Sequence, residues 1–193
     1  LLSFREELDS ILTSSDIKLI NLYFNKFDNK NLKSYFRFRD LDPDPRGRIT
    51  YEEYQTLIQA LKEGVKAPKN SKLPAYFAQF LSVYLANQDS PELITWEDYL
   101  ASLYYAYAMK CSNKFVSEWF ELNLNINNIL SAITCRKFGW DKKAYIIGNN
   151  KVAESIRSSN ARDFGLGDEV DYLPELIRIA EEPDLTLREK KLD

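Results

Sequence analysis

The chain has 193 residues, 45% apolar and 13% aromatic, a globular composition with ample material for a core. Its net charge is −3 with no acidic or basic block, so bulk attraction to nucleic acid or anionic lipid is not expected. It contains no histidine, which excludes Ser-His-Asp and Cys-His catalysis and the usual zinc and di-iron sites. Cys111 and Cys135 have no Cys-x-x-Cys spacing and read as buried free thiols of a reducing compartment.

Six glycines and seven prolines lie between periodic segments, which favours helices over a turn-rich β fold. Ser3-Phe4-Arg5-Glu6 has capping-box form and opens a helix with Leu8, Ile11 and Leu12 on one face. A second helix is expected from about Ser15 to Phe27, burying Leu19, Leu22 and Tyr23. Asp28-x-x-Asn31 then reads as a fresh N-cap for a third helix, with Leu32, Tyr35 and Phe36 inward. A loop from Asp40 to Arg48 leads to a second capping box, Thr50-Tyr51-Glu52-Glu53, on a helix closed by Gly64. Val65 to Leu73 is a polar linker, and Pro74 suits the first turn of the next helix, with Phe77, Phe80, Leu81 and Tyr84 inward.

Thr95-Trp96-Glu97-Asp98 is expected to cap a long central helix reaching about Glu121. Its uncharged tract, Leu100 to Met109, is far short of the ~20 residues a membrane span needs. Asn125 is expected to recap a helix ending at Gly139. Tyr145-Ile146-Ile147 reads as a short extended piece, and Asn150 as the cap of a helix through Val152 and Ile156. Asp168 to Ala180 is amphipathic, with Pro174 in its first turns, and Pro183 precedes a last charged helix. The fold class is all-α: a multi-helix bundle with two similar helical repeat units and a long central helix. The chain reads as one helical domain over 1–193, a fragment of a longer protein, with repeat units at about 15–39 and 112–136.

The repeat is carried by eight residues: Asp28, Asn31, Ser34 and Arg39, and Asn125, Asn128, Ser131 and Arg136. Residue numbers differ by 97 within each pair. Two readings stay open. In the first, the asparagines punctuate helix starts, with each arginine complementing the helix C-terminus about three turns on. In the second, their amides bond across to a neighbouring helix and fix how the repeats pack. Neither role is catalytic, and no cofactor or metal ligand set is expected.

Asp42 to Glu53 resembles an EF-hand loop, with aspartates at positions 1 and 3, Gly47 at 6, Ile49 at 8 and Glu53 at 12. Arg46 puts a cation at position 5, where calcium needs an oxygen, so binding is not expected. Tyr35-Phe36-Arg37-Phe38-Arg39 interleaves aromatics with cations, but its rings fit a buried helix face and no nucleic-acid partner is expected. Glu52-Glu53 and Glu181-Glu182 read as solvated faces.

The repeated pattern resembles the C-type stalk component of V-type and A-type ATPases, whose eukaryotic counterpart carries the letter d. That family repeats acid, two residues, asparagine, aliphatic, then arginine. Here the pattern is Asp28-Asn29-Lys30-Asn31-Leu32 with Arg37 or Arg39, and Asn125-Ile126-Asn127-Asn128-Ile129 with Arg136; Asn125 replaces the acid. A bacterial domain-of-unknown-function family associated with V-type ATPase gene clusters is a closer match. Its signature stretches resemble Leu103-Tyr104-Tyr105, Trp119-Phe120 with Leu122 to Leu130, and Ser159 to Leu166. The resemblance implies a non-catalytic helical adaptor of the central stalk that links the rotary shaft to the membrane ring without entering the bilayer. Its partners would be shaft and ring subunits. Its place would be cytoplasmic, peripheral on the inner membrane through a complex. The rival reading is a helical regulatory or protein-interaction module using the EF-hand-like loop at 42–53.

Overall fold

The computed structural model describes residues 2–37, 42–65, 72–87, 96–167 and 169–192, with residues 2 and 3 described by their backbone alone. Arg39, Asp40, Thr95 and Asp168 lie outside the described residues. Among the described residues the chain forms nine α-helices and no strand. It divides into two compact units, Leu1–Val116 and Ser117–Asp193.

The first unit holds α1 (Leu2–Ile11), α2 (Ser14–Arg37), α3 (Tyr51–Lys62), α4 (Ala75–Ala86) and α5 (Trp96–Ala108). α4 packs on α3 and α5, and α5 packs on α2. The core is aromatic. Tyr54 and Phe77 lie 6.0 Å apart, Tyr76 stacks on Phe77 at 4.7 Å, and Tyr104 is 6.1 Å from Tyr76. Burial of such rings favours folding in proportion to the apolar area removed from water. Their hydroxyls stay paired: Tyr54 donates to the Asp28 carbonyl, Tyr76 to Asn29 Oδ1, and Tyr104 to the Leu22 carbonyl.

α6 (Lys114–Phe138) starts at the end of the first unit and supplies the long helix of the second. A 3-10 turn at Lys142–Ala144 follows, then α7 (Lys151–Ser158), α8 (Leu173–Ala180) and α9 (Leu185–Leu192), with α8 packed on α9. Ile129 and Ala132 of α6, Ile156 of α7 and Leu173 of α8 belong to one buried cluster, together with Phe164 and Leu166.

Several boundaries fall where local signals put them. Thr50 and Glu53 form the expected reciprocal box at the start of α3. Gly64 and Gly139 take φ of +65° and +70° just past α3 and α6. The following amides reach back to Ala60 O (3.0 Å) and Cys135 O (2.9 Å), closing each helix in the manner of a left-handed glycine cap. Asn150 caps α7 by accepting from the Ala153 amide.

Other boundaries differ. α2 is continuous from Ser14 to Arg37, so Asp28 is not an N-cap; the cap is Thr13, whose Oγ1 accepts from the Asp16 amide. Asn125 is likewise interior to α6. The expected central helix is instead two, broken between Ala108 and Lys114, where Asn113 Oδ1 accepts from the Val116 amide. Ile146 and Ile147 are irregular rather than extended strand. α8 begins at Leu173, later than the apolar pattern suggests, with Pro174 in its first turn. Ile11, expected inward on α1, is exposed.

Candidate functional site

Among the described residues, the buried polar side chains are Asn25, Asp28, Asn29, Asn31, Asn125 and Asn128, all on α2 or α6. An unpaired buried polar group costs about 1–3 kcal/mol, so each needs a partner. Mid-helix backbone groups are already bonded to one another, and the partners therefore come from elsewhere in the chain.

On α2 the partner is the loop before α3. Asn31 Oδ1 accepts from the Asp44 amide at 2.7 Å, and Asn31 Nδ2 donates to the Asp44 carbonyl at 3.1 Å. One turn earlier, Asp28 Oδ1 accepts from the Arg48 and Ile49 amides at 2.5 and 3.1 Å. Arg48 folds back so that Nη2 donates to Asn25 Oδ1 at 2.6 Å and Nε lies 3.6 Å from Asp28 Oδ2. Burial pushes the Asp28 carboxyl above the usual carboxylate range, against the two amides and the Arg48 and Arg5 charges. Burial also lowers the Arg48 guanidinium, the Asp28 charge opposing it. Gly47 lets this loop lie against the helix, since a Cβ there would run into the Asn31 amide.

The same device recurs on α6. Asn128 Oδ1 accepts from the Ile147 amide at 3.0 Å, and Nδ2 donates to the Ile147 carbonyl at 2.8 Å. Asn125 Oδ1 accepts from Asn150 Nδ2 at 2.8 Å, which ties the α7 cap to the long helix, and Asn125 also bonds to Tyr172. Gly148, at φ +75°, packs against Leu124, where a Cβ would come within 2.9 Å. In each unit, an interior asparagine holds both polar groups of one loop residue, beside a glycine that permits close approach.

The remaining motif residues divide. Ser34 and Ser131 are half-buried on their helices. Arg136, in the last turn of α6, donates to the Ala161 and Arg162 carbonyls at 2.6 and 2.7 Å and lies over the Phe164 ring at 4.0 Å. Phe164 is buried at φ +56°, a left-handed conformation that costs a bulky residue about 1–2 kcal/mol. Neither reading of the asparagines holds as stated. They are not helix caps; Asn31 and Asn128 bond to loop backbone, and Asn125 alone reaches a neighbouring helix, through its cap Asn150.

Arg48, Asn25 and Asn29 are absent from the residues that the sequence singles out. The signal is present: Asn25, Asp28, Asn29 and Leu32 recur at the spacing of a buried helix face. In sequence Arg48 reads only as part of a turn, because its partners lie 20 and 23 residues away.

In the EF-hand-like loop, Asp44 accepts from Arg46 Nη2 at 2.7 Å and Lys30 Nζ at 3.0 Å, cations that hold its carboxyl well below the usual range. Glu53 accepts from the Thr50 amide at 2.8 Å. Two would-be calcium ligands are thus held by the chain itself. Among the described residues no group of three or more acids or cysteines is placed to hold a metal.

These features define an all-helical chain whose buried polar groups tether long loops to two long helices. The chain belongs to the family described as Protein of unknown function (DUF2764), whose model matches residues 1–193. No curated protein and no solved structure matches it.

Proposed function

We propose that this protein is a non-catalytic helical adaptor, and that its partners are the shaft and membrane-ring subunits of a V-type ATPase. The observation that carries the adaptor reading is where the buried polar chemistry goes. Asp28, Asn31, Asn125 and Asn128 are all engaged in fixing loops to α2 and α6. A part that transmits force needs such stiffness, because a tethered loop keeps its shape under load. The choice of V-type ATPase rests on two resemblances: the repeated asparagine pattern to the C-type stalk component, and longer stretches to a family tied to those gene clusters. No helix among the described residues is long and apolar enough to cross a membrane, so the ring would be reached through protein contacts.

The test is recovery of partners. Tagged full-length protein taken from native membranes in mild detergent should bring shaft or ring subunits with it. Recovery of none of them would defeat the ATPase assignment. The calcium-module rival is disfavoured by the Arg46 and Lys30 contacts to Asp44.

A further inference from the structure

The first unit contains a cleft of about 700 Å³ between the first half of α2, Arg48, the segment before α4 and the turn after α5. That volume suits a ligand of nucleotide size. Four cations line it, Lys18, Arg48, Lys72 and Lys110, and among the described residues no carboxylate does. This is unlike the chain as a whole, which carries more acids than bases. Arg48 lies at 11% side-chain exposure, held by Asn25 and offset by Asp28. Lys72 also meets Glu53 at 3.5 Å. Lys18 and Lys110 are exposed. One wall is apolar, formed by Leu19, Pro74 and the ring of Tyr107.

We propose that this cleft binds a phosphorylated small molecule: a polyanionic group held by Lys18, Lys72 and Lys110, with a ring or other apolar body against Tyr107 and Leu19. Lysine ammonium groups are compact point charges that suit phosphate, and Arg48, already fixed, offers its charge from the floor without further ordering. The proposal stands apart from the adaptor reading, because purified protein alone tests it.

Cys111 lines the same cleft and is partly exposed, whereas Cys135 is buried, so one thiol reports on occupancy. The experiment uses metal-free ATP and inorganic pyrophosphate as probes. Calorimetry should show saturable binding of both, tighter for ATP. Either probe at saturation should slow maleimide labelling of Cys111, while sodium sulfate at equal ionic strength should not. Lys18→Glu and Lys110→Glu change cleft residues that take no part in the asparagine tether. Each should weaken binding about tenfold, as reversing one unit charge at ~7 Å in a water-like medium implies. Absence of saturable binding would overturn the proposal, as would Cys111 labelling that ignores bound probe or affinity that ignores both charge reversals. It would also fall if only polyglutamate or phosphatidylserine vesicles protected Cys111, since the occupant would then be an acidic peptide or a membrane.

Discussion

An asparagine side chain carries one donor group and one acceptor in the geometry of a peptide unit, so it can take both polar groups of a single residue. Asn31 does this to Asp44 and Asn128 to Ile147. Their exposures, 2% and 1%, mean water cannot replace a lost amide. Asn128→Leu should therefore lower stability by about 1–3 kcal/mol, because the Ile147 amide and carbonyl lose their partner. Asn31→Leu should do the same through Asp44. Urea denaturation measures both, and a neutral effect at either position would contradict the tether. Asp28 adds a pH signature. A folded value raised above the ordinary 3.8 means the folded chain holds that proton more tightly than the unfolded chain. Stability then rises as pH falls through the raised value toward 3.8, and the cost of the charge is fully present above that window. Asp28→Asn removes the titration. Denaturation across a pH series should show the unmodified protein gaining on the variant within the window, with a constant difference above it. A relative loss on acidification would reverse the assignment.

At the scale of elements, the sequence is legible wherever a boundary is set by adjacent residues. The Thr50 and Asn150 caps and the Gly64 and Gly139 closures each need only a few neighbours. It misleads where a cap-forming residue serves a distant loop. Asp28 and Asn125 carry cap chemistry, but their partners lie 20 and 25 residues on, which no local pattern shows. The break before α6 is hidden by the aromatic run through Tyr107, which continues the apolar stripe up to the turn. The glycines make the distinction measurable. Gly64→Ala meets open space and should cost about 1–2 kcal/mol from its positive φ alone. Gly47→Ala places a Cβ against the Asn31 amide, so it should displace the tether and cost about 1–3 kcal/mol by overpacking. Addition of Asn31→Leu to Gly47→Ala should then cost less than it does alone, because the contact is already disturbed. Equal, additive losses would show that the loop does not depend on that contact. The same loop should give no saturable response to millimolar calcium in calorimetry, because Asp44 is committed to Arg46 and Lys30. A response abolished by Asp42→Ala would contradict that.

At the scale of the whole molecule, both compact units use one construction: a helix of 24 or 25 residues, a loop pinned to its middle by asparagine, and a capped helix after the loop. The offset of 97 between Asn31 and Asn128 is visible in the chain, whereas the job the pair performs is not. Pinning shortens the free length of each loop and so reduces how far it bends under force. On the proposed reading that force is torque between a shaft and a membrane ring. Loss of such a part should not touch the nucleotide site, because hydrolysis belongs to the head of the complex. Deletion of the gene should therefore leave hydrolysis by the detached head close to normal, while ion transport driven by ATP in membrane vesicles falls sharply. Restoring the unmodified gene should recover transport. A gene carrying Asn31→Leu with Asn128→Leu should recover less of it at equal protein abundance, because both loops have lost their tether. Unchanged transport after deletion would remove the ATPase assignment. Full rescue by the double variant would keep the assignment and separate the tether from torque transmission.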